Sequence, residues 1–256
     1  MNIQILGAHN IESKNSRCIS ILIDGILAVD AGALTSSLSL EAQQKLRAVL
    51  LTHQHYDHVR DVPALGINNY LFESTIDIYA PRLVLKALSA HLINDVLYPD
   101  YTKKPPEKPA IRFRMMEAGK EELIAGYTVL PLPVKHAVPT VGYLITAENG
   151  KKLFYTSDTG PGLEEVWKKI APDLLITEVT GINKYQDFAL ESGHLTPAQL
   201  QKELESFREI KRYLPQIILV HMNPIDERRI KAEISGVEKA LKTKISFGYE
   251  GMQIKL

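Results

Sequence analysis

Residues 52–58 read THQHYDH, which sets three histidines and an aspartate within six positions directly after the apolar run AVLL at 48–51. In an extended segment, residues two apart face the same way, so His53 and His55 can hold one cation together. Asp57 and His58 follow where the chain must turn into a helix opening at VRDVPAL, and they can face a second cation on the other side. Imidazole plus carboxylate without thiolate suits zinc, iron or manganese. A single histidine here would be no more than a polar turn residue. Four ligand types at this spacing favour a metal site.

The chain has only eight histidines, so further ligands are easy to nominate. His136 follows the predicted strand LPLPVK, Asp158 ends KLFYTS, and His221 ends QIILV. Each stands at a strand end, where an α/β sandwich places its site. Glu178 and His194 carry chemistry of another kind. Glu178 ends the apolar strand DLLITE, and a charge at such a tip usually has a specific task. His194 lies in ESGHLTPAQ, two residues before a helix start with Thr196 as N-cap, Pro197 in the first turn and Gln199 completing a capping box.

The elements that must position these residues are short. Strand-length apolar segments rich in branched residues occur at 2–6, 18–23, 26–30, 47–52, 75–80 and 111–116, and then at 127–132, 140–145, 152–157, 173–179 and 217–222. Helical periodicity appears near 59–73, 81–94, 162–170, 197–213 and 225–241. TKKPPEKP at 102–109 is a loop within the domain rather than a boundary. Mixed strands and helices in this proportion predict a layered α/β sandwich, two sheets face to face with helices outside.

Composition narrows the functional classes. Thirty basic residues balance thirty acidic ones, so no global field attracts a long polyanion or an anionic membrane. One cysteine, Cys18, excludes an internal disulfide framework and a thiolate zinc cluster. MNIQILGAHN lacks a charged segment followed by an apolar stretch, and no run approaches the ~18 apolar residues of a membrane span. The expectation is a cytoplasmic protein with no membrane partner.

Together these stretches resemble the metallo-β-lactamase superfamily, whose H-x-H-x-D-H run stands here as His53-Gln54-His55-Tyr56-Asp57-His58. The likeness extends along the chain through LAVDAG at 27–32, VKH at 134–136, YTSDTG at 155–160 and LVHMNP at 219–224. It implies a four-layer αββα sandwich filling residues 1–256 as one domain, with a dinuclear site. His53, His55 and His136 would hold one metal, Asp57, His58 and His221 the other, and Asp158 would bridge them. Asp30, in LAVDAG, matches a position that orients the ligands. Asp61 departs from the pattern, because many relatives carry glycine there (D-H-x-x-G). That departure bears on the turn and not on the ligand set.

Glu178 and His194-Leu195-Thr196 are similar to a pair in the superfamily's phosphodiesterase branch, which includes ribonuclease Z and the class II cyclic-nucleotide phosphodiesterases. The resemblance implies that the glutamate orients the histidine and favours its protonated form. The histidine would then donate a proton to the departing alkoxide. A hydroxide between the metals would attack phosphorus from the opposite side. Asp57, Glu178 and His194 are thus the expected catalytic residues. Two divalent cations carry four positive charges, of which Asp57, Asp158 and hydroxide cancel three, and the remainder favours an anionic substrate.

Ribonuclease Z inserts a long arm between its third histidine motif and the bridging aspartate. Here His136 and Asp158 are separated only by TVGYLI, the turn ENGK and another strand. HLINDVLYPDYT at 91–102 is similar to the N-x-x-x-W-P-D region of the class II cyclic-nucleotide enzymes, with Tyr98 replacing tryptophan. Tyr98 and Asp100, in the loop up to 109, are either a substrate contact or an aromatic plug. The expected activity is hydrolysis of a small phosphodiester or nucleotide, best a 3′,5′-cyclic nucleotide. Two divalent metals are expected, zinc before manganese or iron. The alternatives are a ribonuclease Z-like endonuclease and a non-catalytic nucleotide-binding sensor. A homodimer is compatible with the sequence.

Overall fold

Alternation along the strands assigns side chains to two different cores. In Leu174–Glu178, Leu174 and Ile176 face one core and Leu175 the other; in Gln216–Val220, Ile218 and Val220 oppose Ile217 and Leu219 in the same way. Strands with both faces buried belong to sheets covered on both sides. The computed structural model, which describes all 256 residues, builds two such sheets.

The first sheet comprises β1 (Asn2–Gly7), β2 (Ser20–Ile23), β3 (Leu27–Val29), β4 (Ala48–Leu50), β5 (Ile76–Pro81) and β6 (Ile111–Met116). The second comprises β7 (Glu122–Ile124), β8 (Tyr127–Val134), β9 (Thr140–Thr146), β10 (Lys152–Tyr155), β11 (Leu174–Glu178), β12 (Gln216–Val220) and β13 (Ile245–Phe247). The C-terminal β14 (Gln253–Lys255) returns to the first sheet and pairs with β1. In space the first sheet runs β14-β1-β2-β3-β4-β5-β6 and the second β13-β12-β11-β10-β9-β8-β7.

Helices α1 (Leu34–Ser37), α2 (Leu40–Gln44), α3 (Tyr56–Val59), α4 (Val62–Leu71) and α5 (Arg82–Ala87) belong to the first half. Leu34, Val59, Val62, Leu65 and Val84 from this set close a core against the outer face of the first sheet. Helices α6 (Glu164–Lys169), α8 (Pro197–Lys211) and α9 (Glu227–Leu241) close another against the second sheet, while α7 (Gln186–Ser192) leads into the site. In α9 the buried residues Ile230, Ile234, Val237 and Leu241 recur with a helical period. A third core lies between the sheets, where Val29 and Leu50 meet Tyr143, Ile176 and Val220. The expected four-layer αββα sandwich is the architecture observed. No helix is long and apolar enough to cross a membrane.

Neighbours β3 to β6 run parallel, as do β10 to β13, so their C-terminal ends share a rim. The strand β9 runs antiparallel to both β8 and β10, which brings the C-terminal end of β8 to the same rim. Strands predicted to 30, 157 and 222 stop earlier, at Val29, Tyr155 and Val220. The reason is local: Asp30, Ser157 and His221 have φ of 57°, 59° and 60°, a left-handed backbone that no strand can contain. The segment predicted as one helix at 59–73 divides into α3 and α4 around Arg60 and Asp61.

Candidate metal centre

All seven expected ligands converge at this rim. His53 follows β4, His136 follows β8, Asp158 follows β10 and His221 follows β12, while Asp57 and His58 lie on the single turn of α3. Two groups form, each with its donor atoms within 4.8 Å of one another: His53, His55, His136 and Asp158, and Asp57, His58, Asp158 and His221. Asp158 belongs to both. Its Oδ2 lies 3.7 Å from Nε2 of both His53 and His136, and its Oδ1 lies 3.3 Å from His58 Nε2 and 3.4 Å from His221 Nε2.

Four of the rings obey one rule: Nδ1 is tied outward and Nε2 is left inward. His53 Nδ1 donates to Thr52 Oγ1 at 3.0 Å, because that hydroxyl spends its own proton on Asp30. His58 Nδ1 donates to Asp30 Oδ2 at 2.8 Å, and His136 Nδ1 to the Gly193 carbonyl at 2.9 Å. His221 Nδ1 donates to Thr180 Oγ1 at 2.8 Å, whose proton goes to Glu178. Such outer bonds fix the tautomer and present the Nε2 lone pair to the centre. His55 Nδ1 lies 3.1 Å from His53 Nε2 and 3.0 Å from His136 Nε2.

This donor set fits divalent cations. Converging imidazole lone pairs repel one another unless a cation lies among them, and His58 Nε2 and Asp158 Oδ1 are buried with no hydrogen-bond partner. Burial, reinforced by neighbouring rings, lowers the pKa of His53 well below the imidazole range, and burial likewise lowers those of His55 and His136. Burial works against the charge of Asp158, but His221 and His58 beside it hold its carboxyl well below the usual range. Burial also opposes a charge on His58, yet Asp158, Asp30 and Asp57 around it raise its pKa well above the usual value.

Glu178 and His194 stand directly beside this cage. Glu178 ends β11 with the same strand parity as Leu174 and Ile176, so it faces the inter-sheet side. It is 1% exposed and accepts four hydrogen bonds, one of them from His194 Nδ1 at 2.8 Å. Burial of the His194 ring lowers its proton affinity, but the Glu178 charge and hydrogen bond override that and raise its pKa to about 9. The His194 ring stacks on His221 at 5.5 Å and meets His136 edge-on at 4.9 Å. Its entry is set by Gly193, the left-handed C-cap of α7 with φ of 73°, where a Cβ would come within 2.7 Å of the His136 backbone. On the other side, the expected capping box opens α8: Gln199 Oε1 accepts from Thr196 N at 2.9 Å, and the Thr196 side chain faces the Gln199 backbone N–H.

A cavity of about 440 Å³ opens onto Asp57, Asp158, His194 and His221. Tyr98 and Asp100 do not line it; Asp100 turns its carboxylate back onto the N–H and hydroxyl of Thr102. Sequence reasoning missed the hydroxyls that tie the centre together. Thr52 joins Asp30, His53 and Ser157, and Thr180 joins Glu178 and His221. Thr180 lies two residues beyond Glu178, and that spacing was its only signal.

Residues 20–222 match the family model of the beta-lactamase superfamily domain. The chain belongs to that superfamily, and its His/Asp cluster is one that could hold metal ions. Among curated relatives, a UPF0173 metal-dependent hydrolase from Cupriavidus metallidurans is 27% identical over 168 residues, covering 63% of this chain and 57% of that protein. A ribonuclease Z from Archaeoglobus fulgidus is 24% identical over 266 residues, 82% of each chain. Several other curated relatives are longer, and the chain spans between 37% and 57% of the first three. Among solved structures, unliganded yeast PDE1 superposes with a TM-score of 0.86 at 18% identity, covering 100% of this chain and 99% of that one, a likeness of fold.

Proposed function

We propose that this chain is a metal-dependent phosphodiesterase acting on a small phosphodiester, for which a 3′,5′-cyclic nucleotide best matches its motifs. The observation that carries this reading is the Glu178–His194 pair, 2.8 Å apart and set against a cage of imidazoles and carboxylates. A proton held at neutral pH beside such a cage serves a leaving oxygen too basic to depart alone. Two divalent ions, zinc before manganese or iron, would be held by His53, His55, His136 and Asp158 and by Asp57, His58, Asp158 and His221, supplying Lewis acidity and a lowered pKa for water.

The chain's own groups do the rest. His194 keeps Nδ1 on Glu178, so Nε2 is the atom that carries the transferable proton. Glu178 holds that proton in place by charge, and Thr180 couples the pair to His221. Asp57 lines the cavity with its Oδ2 3.1 Å from His221 Nε2, so the two would hold one ion between them at the wall where substrate enters. The outward Nδ1 bonds of His53, His58, His136 and His221 hold four of the ligands in the geometry required at no further entropic cost.

The ribonuclease Z relatives support a second reading, cleavage of precursor transfer RNA. The short His136–Asp158 interval and the balanced charge favour the small substrate. The test is a panel of cyclic AMP, bis(p-nitrophenyl) phosphate, a thioester, a β-lactam and precursor transfer RNA, run on protein of measured metal content. Turnover of both small phosphodiesters by the wild type, with His194→Ala losing cyclic AMP hydrolysis and much less of the bis(p-nitrophenyl) phosphate hydrolysis at constant metal content, is the expected result. Full activity of that variant on every substrate turned over refutes the assignment.

A further inference from the structure

Asp61, the residue that departs from the D-H-x-x-G pattern, holds an arginine in the wall of the cavity. It is 4% exposed; its Oδ2 accepts from the Thr35 N–H at 2.7 Å and its Oδ1 from Arg60 Nε at 3.1 Å. Arg60 closes α3, the turn that carries Asp57 and His58, and lines the same cavity as Asp57, Asp158, His194 and His221. It is the only lysine or arginine among the eleven residues that do so. Its Nη1 pairs with Glu12, another lining residue, whose carboxylate is 46% exposed.

These two carboxylates play different parts. Asp61 is buried and takes Nε, the inner edge of the guanidinium, which fixes the plane of the group. Glu12 takes an outer nitrogen from the solvent side, where an ion pair is screened and weak. A guanidinium anchored at its inner edge presents its outer nitrogens as a fork, the geometry that matches phosphoryl oxygens. An anionic group entering the cavity therefore competes with Glu12 for Arg60.

We propose that Arg60 is a substrate-binding residue for the anionic group of the substrate, with Asp61 as its positioning residue and Glu12 as the internal ligand it exchanges for that group. This rests on, and deepens, the phosphodiesterase reading of the same cavity. The guanidinium stands on the α3 side, with His194 supplied from the second sheet. Substrate oxygens bound by Arg60 are therefore those that do not leave.

The test is calorimetric titration of inorganic phosphate into zinc-loaded full-length protein with zinc content matched between variants. Arg60→Ala is expected to weaken phosphate at least tenfold, Arg60→Lys to fall between, and Asp61→Asn to weaken it less than Arg60→Ala. Glu12→Gln is expected to tighten phosphate several-fold in the parent and to have no effect in the Arg60→Ala background. That coupling is a signature a merely structural arginine does not produce. Phosphate affinity within twofold of wild type in Arg60→Ala overturns the proposal. So does a Glu12→Gln effect of equal size in both backgrounds, and so does the lack of saturable phosphate binding by the wild type. If the Arg60 pattern holds but no phosphodiester is turned over, the functional reading falls and the arginine assignment stands. Phosphodiester turnover with phosphate binding indifferent to Arg60 gives the reverse.

Discussion

Replacing Glu178 by glutamine keeps the shape of the side chain and changes what His194 can hold. The carboxylate accepts at Oε1 from Thr159 N and His194 Nδ1, both at 2.8 Å, and at Oε2 from Thr180 Oγ1 at 2.6 Å and Leu195 N at 3.3 Å. A glutamine brings one oxygen and one NH2, so in either orientation two of the four donors meet a donor. Burial of the ring opposes its charge, and the carboxylate raises the His194 pKa to about 9 against that opposition. Without that negative charge, burial and His58 oppose the charge on the ring with only Asp158 still favouring it, and the value falls toward imidazole's ordinary 6.5. That is a fall of about 2.5 pH units, worth about 3 kcal/mol.

At pH 7.5 the protonated fraction of His194 would drop from about 97% to about 10%. A substrate that leaves as a basic alkoxide then loses about tenfold in kcat, whereas a p-nitrophenolate, which departs without a proton, loses much less. The assay is kcat against pH for both leaving groups, in wild type and Glu178→Gln, with metal content equal. Because loss of the proton abolishes the acid, the alkaline limb is expected to move down by two pH units or more. A cation in the cage lowers both proteins' values alike, so the separation between the profiles is the quantity that matters. Limbs coinciding within about half a unit, or equal losses on both leaving groups, refute the reasoning.

Three further outcomes are expected. Asp30 is fully buried and accepts from Thr52 N, Thr52 Oγ1, His58 Nδ1 and Tyr155 OH, so Asp30→Asn sets donor against donor in a dry site. It should cost about 2–3 kcal/mol and lower zinc affinity about 10–100-fold, checked by thermal melts and chelator competition. His58 holds its proton well above the imidazole range because Asp158, Asp30 and Asp57 outweigh its burial. A cation at Nε2 must expel that proton. Calorimetry in buffers of different ionisation enthalpy should register the release near neutral pH, with metal affinity falling as pH falls. Burial opposes the charge on both His9 and Glu250, but their 2.7 Å hydrogen bond raises the histidine above 6.5 and lowers the carboxylate below 4.5. The histidine's contribution is full below 6.5 and lost as pH rises through its folded value; the carboxylate's is full above 4.5 and lost as pH falls through its own. Denaturant melts should therefore show Glu250→Gln losing about 1–2 kcal/mol near pH 5.5, and less at alkaline pH.

What was legible in the sequence follows from what each kind of residue can do. The ligands could be named because few residue types bind metal, and eight histidines leave little choice. Their outer partners could not, because threonine hydroxyls and backbone carbonyls occur everywhere and only the fold selects Thr52, Thr180 and Gly193. Asp61 lies between these cases. Its departure from the glycine pattern was visible, but it read as turn geometry until its two donors, Thr35 N and Arg60 Nε, were placed.

The errors in strand length carry more information than the successes. The apolar runs of ILAVD, KLFYTS and IILVHM predict burial correctly to the last residue of each strand. They fail at Asp30, Ser157 and His221, where φ of 57° to 60° takes the chain out of the sheet. Two of these residues carry side chains of the centre, and the third directly precedes Asp158. An extended strand can aim a side chain only up or down from its sheet, never along the strand beyond its end. At three rim positions the chain leaves the strand period as it enters the centre, at Asp30, at His221 and directly before Asp158. A left-handed residue, at a cost of about 1–3 kcal/mol, is the shortest such break. Periodicity therefore misleads where the chain turns into the site, at one ligand, at one residue that orients a ligand and at the residue before the shared aspartate.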